Sequence, residues 1–395
     1  MGKSFSKNNT KKSDNQKKQN ISKDNKYPNN KANDNIKENK YSSKENKNYN
    51  GKINLRNNLE NNKQKIDIDI NSKIINYEFL RNIAIDSHSY GLDDLMIVFK
   101  SIDDILYFIY TNKENYIISY NLIENKKINV IKNASDSRIT NFKHYLNKDK
   151  NQDLMISASL LNNLKLWRIN DWECLLKIKN INDGGDLRSA CFLILKNNIY
   201  ILTSNIFASE PIKVFNLNGV KIKEINNSRD DVNYIDIYYD NNSSKPYILA
   251  GNCGFVKSYD YNDNKVYHIY NDYDGGNHYS IRIKNENNLI KLIESSGDGN
   301  IRIWNFHTGE LLNKIYIIDE SLFGICLWDN YLFIGCGDNT IKILDIEKSK
   351  IIDNIIGHNR MVLVLAKIDI PNYGECLISQ ENGELTKLWK IKFNI

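Results

Sequence analysis

An all-β fold, a propeller of seven four-stranded blades closed by an N-terminal strand and preceded by a disordered basic tail, is predicted by three observations. A short strand–turn–strand unit recurs along the chain at intervals of 40–48 residues. Its strands alternate apolar and polar side chains with period two. The first 65 residues, in contrast, carry sixteen Lys and Arg56 against six acids, a net charge of +11 inside a chain of +6, which leaves −5 for the rest.

The clearest copy of the unit is Ser295-Ser296-Gly297-Asp298-Gly299-Asn300-Ile301-Arg302-Ile303-Trp304-Asn305. An apolar strand arrives, a Gly-Asp-Gly turn reverses it, and Ile-Arg-Ile-Trp alternates away again. Asp338 opens the same turn before Ile341-Lys342-Ile343-Leu344, and Gly383 before Leu385-Thr386-Lys387-Leu388-Trp389. Asn163–Trp167 is a close match, 211–216 and 255–260 are degenerate copies, and Tyr116–Asn121 is the weakest. The bulky residue of each copy falls at 120, 167, 215, 259, 304, 344 and 389. A Lys or Arg stands two residues before it in six of the seven copies, and an Asp or Asn follows it in five. Unrelated alternating strands would not hold that register.

A period near 45 with four strands per unit resembles the WD-repeat β-propeller family over about residues 74–395. The resemblance implies that each bulky residue lies on the third strand of its blade. It also implies that a His, a Ser or Thr and an Asp hydrogen-bond towards that residue and lock the blade. On this reading Trp167 marks its blade. Ser296, Asp298 and Trp304 take those positions in one blade, Asp338 in the next, and His358, Ser379 and Trp389 in the last. His278 lies two residues away from the usual His spacing. These roles are structural, and none is catalytic.

Ring closure sharpens the expectation. Trp389 lies on a third strand only six residues before Ile395, so the fourth strand of that blade has to come from before the first blade. Ile74–Phe79 is the best candidate, and the alternating Ile66–Ile70 stretch is the alternative. The chain thus divides into a Lys/Asn-rich tail, 1–65, and a propeller, 66–395. The tail has too few apolar side chains to offset its ordering entropy. Six scattered cysteines without C-x-x-C spacing fit buried, reduced thiols of a cytoplasmic protein. The longest apolar runs are too short to span a bilayer, and no secretory leader opens the sequence.

Signatures of chemistry are sparse. The sequence holds no Walker loop, no G-x-G-x-x-G and no H-E-x-x-H, so no enzyme activity, cofactor, metal or small-molecule substrate is expected. Binding is the better expectation. Asp183 and Asp186, then Arg229, Asp230 and Asp231, then Asp272 and Asp274 sit in connections entering successive blades, on one face of a propeller. They are either good turn formers or an acidic patch for a basic peptide. Trp172 and Trp328 fall at turns on the opposite face, either as interface anchors or as half-buried rim residues.

The first residues, Met1-Gly2-Lys3-Ser4-Phe5-Ser6-Lys7, fit an N-myristoylation motif on Gly2. They are similar to the starts of the myristoylated neuronal calcium sensor proteins. One acyl chain binds membranes only marginally, and the lysines that follow, from Lys7 to Lys26, supply the second signal towards an anionic leaflet. Ser4, Ser6, Thr10 and Ser13 among them invite a phosphorylation switch. Specific nucleic-acid binding is not expected, because the tail lacks interleaved aromatics for base stacking. The function expected from sequence is therefore a non-enzymatic scaffold for protein or peptide partners, tethered to a cytoplasmic membrane surface. The alternative is a soluble peptide-recognition propeller such as a ubiquitin-ligase substrate receptor. The heptads with which a G-protein β subunit holds its partner are missing from the tail.

Overall fold

A computed structural model of the chain describes residues 75–87, 95–161, 163–179, 181, 185–206, 212–225, 231–241, 243–272, 276–286, 288–383 and 385–394. The tail, the Ile66–Ile70 stretch and Ile74 lie outside the described residues. Seven antiparallel four-stranded sheets form a closed ring, a seven-bladed β-propeller. The innermost strands, in chain order, are Met96–Lys100, Ile139–Asn147, Asp186–Leu195, Val232–Tyr239, His278–Glu286, Leu322–Trp328 and Val362–Ile370. Each packs against the next, and the last packs against the first. The bulky markers all lie on third strands, at Ile117–Asn121, Asn163–Arg168, Ile212–Asn216, Val256–Asp260, Asn300–Asn305, Ile341–Asp345 and Thr386–Phe393.

No single core fills the molecule. Apolar side chains of the described residues gather instead in seven clusters, six of them joining two neighbouring blades and the one between the seventh and first also taking in Phe323 of the sixth. Period-two strands bury both faces of a blade this way, one face against each neighbour. Trp167, Phe215, Tyr259, Trp304, Leu344 and Trp389 are all buried in these clusters. The weakest copy departs from the rule. Tyr120 is half-exposed, and its hydroxyl donates to the Asn125 carbonyl at 2.8 Å.

The seventh blade consists, from outside inwards, of Ile75–Ala84, Thr386–Phe393, Gly374–Glu381 and Val362–Ile370. The N-terminal strand closes the ring as expected and runs five residues beyond Phe79. Two β-bulges, at Phe79/Arg81 and Asn82/Ala84, let it keep pairing as far as Thr386. It stitches three blades together. Ile75 packs into the cluster between the sixth and seventh blades, and Ile83 and Ala84 into the one between the seventh and first. The Tyr77 hydroxyl donates to the Asn354 carbonyl, and Arg81 Nη2 donates to the Leu122 carbonyl at 2.7 Å.

The register residues have plain jobs. The Asp or Asn that follows five of the markers caps the turn into the fourth strand. Asn121, Asn216, Asp260 and Asn305 each accept two backbone N–H groups of that turn, and Asp345 accepts from Lys348 N. Such Asx caps satisfy donors that a tight turn leaves unpaired. In four blades the Lys or Arg two before the marker ties down the loop that enters its own blade. Lys165 donates to the Ala134 carbonyl, Lys213 to that of Ile181 and Lys387 to that of Gly357. In the fifth blade Arg302 meets Asp272 of the corresponding loop. Gly299 shows how tight these turns are: its φ is +80°, and a Cβ there would lie 1.8 Å from the Ile318 carbonyl oxygen.

Candidate functional site

Trp167 and Trp389 donate from Nε1 to Ser157 Oγ (2.9 Å) and Ser379 Oγ (2.7 Å), each serine standing ten residues upstream on the second strand. In the last blade the relay continues. His358 Nε2 lies 2.6 Å from Ser379 Oγ, and its Nδ1 lies 3.0 Å from Glu381 Oε2. When Nδ1–H donates to Glu381, which only accepts, the Nε2 of a neutral ring accepts the Ser379 O–H while the same oxygen accepts from Trp389. That pattern needs a neutral imidazole. Burial holds the His358 pKa below the usual imidazole range, with Lys387 acting in the same direction and the Glu381 carboxylate opposing.

The fifth blade keeps the spacing and changes the chemistry. Trp304 Nε1 donates to Glu294 Oε1 at 3.0 Å, and His278 Nδ1 is hydrogen-bonded to Glu294 Oε2. All three side chains are buried. Ser296 and Asp298 therefore do not reach Trp304. The side chain facing the ring comes from position 294, because Glu294 pairs with Arg302 as Ser379 pairs with Lys387. Asp298 grips Arg302 instead, and Asp338 likewise holds Lys342 at 2.8 Å. Burial alone would raise the Asp298 carboxyl, but the Arg302 guanidinium holds it below the ordinary carboxylate range. The Asp338 carboxyl is lowered in the same way: burial opposes, and Lys342 and Thr340 prevail.

In the loops entering the blades, Asp183, Arg229, Asp230 and Asp274 lie outside the described residues. The described acids are engaged internally. Asp272 Oδ2 sits 2.9 Å from Arg302 Nε and 2.6 Å from Lys314 Nζ. Asp186 Oδ2 lies 3.8 Å from Arg188 Nη2, and Asp231 acts on the same guanidinium. Burial lowers the Arg188 pKa, and these two acids oppose it.

Trp328 is enclosed completely, so it presents nothing to a partner. The sequence showed a turn after it and not what covers it. Lys367 of the next blade lies over its ring at 4.4 Å, Glu375 accepts from its Nε1 at 3.2 Å, and Phe393 packs edge-on. Trp172 sits half-buried in the turn between third and fourth strands, edge-on to Tyr107 of the first blade at 6.0 Å.

Sequence reasoning named no residue of the central channel. A cavity of about 400 Å³ opens where the inner strands of the first, second, fifth, sixth and seventh blades converge. Its apolar lining residues include Val98, Leu327 and Ala366, and its charged ones are Lys143, Arg282 and Lys367, with no Asp or Glu among them. Asp236 on the fourth blade accepts from Lys143 Nζ at 3.3 Å and from the Tyr234 hydroxyl at 2.9 Å. Arg282 Nη1 donates to the same Tyr234 oxygen at 3.1 Å. Burial alone would raise the Asp236 carboxyl, but Lys143, the Ile237 amide and Arg282 keep it low. Beside this group His144 stacks on Phe99 (3.6 Å) and meets buried Asp153 at 2.7 Å. Burial lowers its pKa although Asp153 opposes.

No family model matches the chain, and no curated protein matches it. All six cysteines are free thiols. Cys191, Cys326, Cys336 and Cys376 are buried, Cys174 is half-buried, and Cys253 is exposed. Burial pushes the Cys336 thiol up to about 12. Among the described residues no helix is long and apolar enough to cross a membrane.

The two depressed histidines predict an acid-sensitive fold. A group whose folded pKa lies below its unfolded value adds stability above the unfolded pKa, about 6.5 for His, and loses it as pH falls through the folded value. The melting temperature is expected to drop between pH 7.5 and pH 5.5, as His144 and His358 take up protons in the unfolded chain first. His358→Gln is expected to melt lower at pH 7.5 and to show a smaller drop. Parallel slopes for the two proteins by scanning calorimetry would remove His358 from this account.

Proposed function

We propose that the chain is a non-enzymatic scaffold of the WD-repeat type, presenting propeller loops to protein partners and held at a cytoplasmic membrane surface by a myristoylated, polybasic tail. Propellers commonly serve as interaction platforms, although fold by itself leaves function open. The observation that carries the scaffold reading is the way the turns are fixed. Asx caps, cation ties and the Trp relays hold the described turns to the blades that bear them, so these turns present preset surfaces. A preset surface binds without first ordering its own loops. The relays Trp389–Ser379–His358 and Trp304–Glu294–His278 support the WD-repeat assignment. Gly2 and the lysines after it support the tether.

Mass spectrometry of the N-terminal peptide from native cells, with proximity labelling of wild type and Gly2→Ala in parallel, tests both parts. The expected result is a myristoyl mass on Gly2. Gly2→Ala should lose membrane neighbours and keep a common set of partners. An unmodified or acetylated Gly2 sinks the tether. Partners lost on substitution of one face assign binding to that face, partners that survive substitution of both faces remove the propeller surface from this reading, and no reproducible partner at all sinks the scaffold.

A further inference from the structure

We infer that the central channel is an anion site, built to take a carboxylate carried on a small apolar body, and this stands apart from the scaffold reading of the rim. Three features of the cavity point there. The body of the protein, residues 66–395, has a net charge of −5, yet the charged residues along the channel lining are Lys143, Arg282 and Lys367, all cationic, and of these Lys367 turns its Nζ to the Trp328 ring. Lys367 is matched by Glu375 at 2.8 Å, and Glu375 is not among the lining residues. Lys143 and Arg282 converge on one carboxylate, Asp236, with the Tyr234 hydroxyl between them. Lys143 and Arg282 thus bring cationic side chains to a cavity with no Asp or Glu among its lining residues, and between walls of low dielectric a charge acts further than in water.

The opposite wall sets the class of ligand. Val98, Leu327 and Ala366 give the cavity an apolar side facing the cationic one. A pocket of this size with few polar groups suits a compact amphipathic ligand. Its acid group lies against Lys143 and Arg282, and its body against the aliphatic wall. An arylacetate has this shape, and so has the last residue of a peptide with a free C-terminal carboxylate.

Fluorine NMR on the full chain tests the site with 4-fluorophenylacetate as probe. Saturable broadening is expected for the wild type. Lys143→Gln and Arg282→Gln should each weaken binding about tenfold, equivalent to ~1.4 kcal/mol. Asp236→Asn should change it in the opposite direction and tighten it, because it removes the competing carboxylate. Ala366→Phe, which fills the apolar wall and touches neither cation, should abolish it and serves if the charge variants fail to fold. Acetyl-Gly-Phe with a free carboxylate, compared with its amide, separates the sources. Tighter binding of this peptide than of the probe assigns a peptide terminus, and weaker binding assigns a free acid. Equal binding of acid and amide overturns the proposal. So does binding that persists unchanged in Lys143→Gln and Ala366→Phe, since the probe would then sit on the lysine-rich tail.

Discussion

Removal of residues 75–84 is expected to abolish cooperative thermal unfolding, while removal of residues 1–60 leaves the melting curve nearly unchanged. The strand Ile75–Ala84 is the outer edge of the seventh blade, and without it Thr386–Phe393 exposes a row of unpaired backbone groups. An open edge of that kind is also a template for aggregation. The loss reaches beyond one sheet. Ile75 leaves a hole between the sixth and seventh blades, and Ile83 and Ala84 leave one between the seventh and first. Each fully buried Ile is worth about 1.5–3 kcal/mol, against a net stability for a whole domain of about 5–15 kcal/mol. The ties from Tyr77 to Asn354 and from Arg81 to Leu122 go with them. A ring whose blades each rest on two neighbours is then loosened at both joints of the seventh blade. Circular dichroism melts of the two deletions decide the matter. A synthetic peptide spanning 75–87 should restore a sharp transition to the larger deletion by strand addition. A sharp melt of that deletion without the peptide would show that the ring closes by other means.

The parts of this fold that were legible in sequence are those that repeat because local physics demands it. A third strand lies in the middle of a blade, so it alternates cleanly and carries a bulky residue into an inter-blade cluster, as Trp167, Phe215 and Tyr259 do. Asn216 and Asp260 follow because the next turn needs an acceptor. Closure was legible from arithmetic, since one blade was a strand short. What escaped depends on contacts between blades. Trp328 looked like a turn residue, and only the arrival of Lys367, Glu375 and Phe393 from the seventh blade buries it. Asp272 read as a solvent-facing turn acid, but Arg302 and Lys314 from its own blade neutralise it. The channel is assembled by inner strands far apart in sequence, so Lys143, Asp236 and Arg282 gave no local sign of meeting. Glu294 was missed for another reason: an acid in an alternating strand reads as solvent-facing. A usable signal did exist, since it stands ten residues before Trp304, as Ser157 and Ser379 stand before Trp167 and Trp389.

Glu294→Leu is expected to cost about 3–5 kcal/mol, the usual price of leaving the partners of a buried ionic group uncompensated. Glu294 has no contact with solvent, and its two oxygens serve His278 Nδ1 and Trp304 Nε1. The leucine fills the space and offers neither acceptor. Trp304 then buries an indole N–H with its relay partner gone, and His278 loses the carboxylate that orients its ring. Arg302, which Glu294 also stabilises electrostatically, depends more heavily on Asp298 and Asp272. At roughly 2 °C per kcal/mol for a domain of this size, the melting temperature should fall by about 6–10 °C. Glu294→Gln separates hydrogen bonding from charge. Its amide oxygen still accepts from Trp304, so it should lose only about 1–2 kcal/mol. Combining Glu294→Leu with Trp304→Phe tests the relay itself. Phenylalanine has no N–H to orphan, so the double variant should be more stable than the sum of the single losses predicts, by about 1 kcal/mol or more. Strict additivity, measured by urea unfolding, would mean that Glu294 acts on the blade through its charge on His278 and Arg302 alone. The hydrogen bond to Trp304 would then contribute nothing to locking the fifth blade.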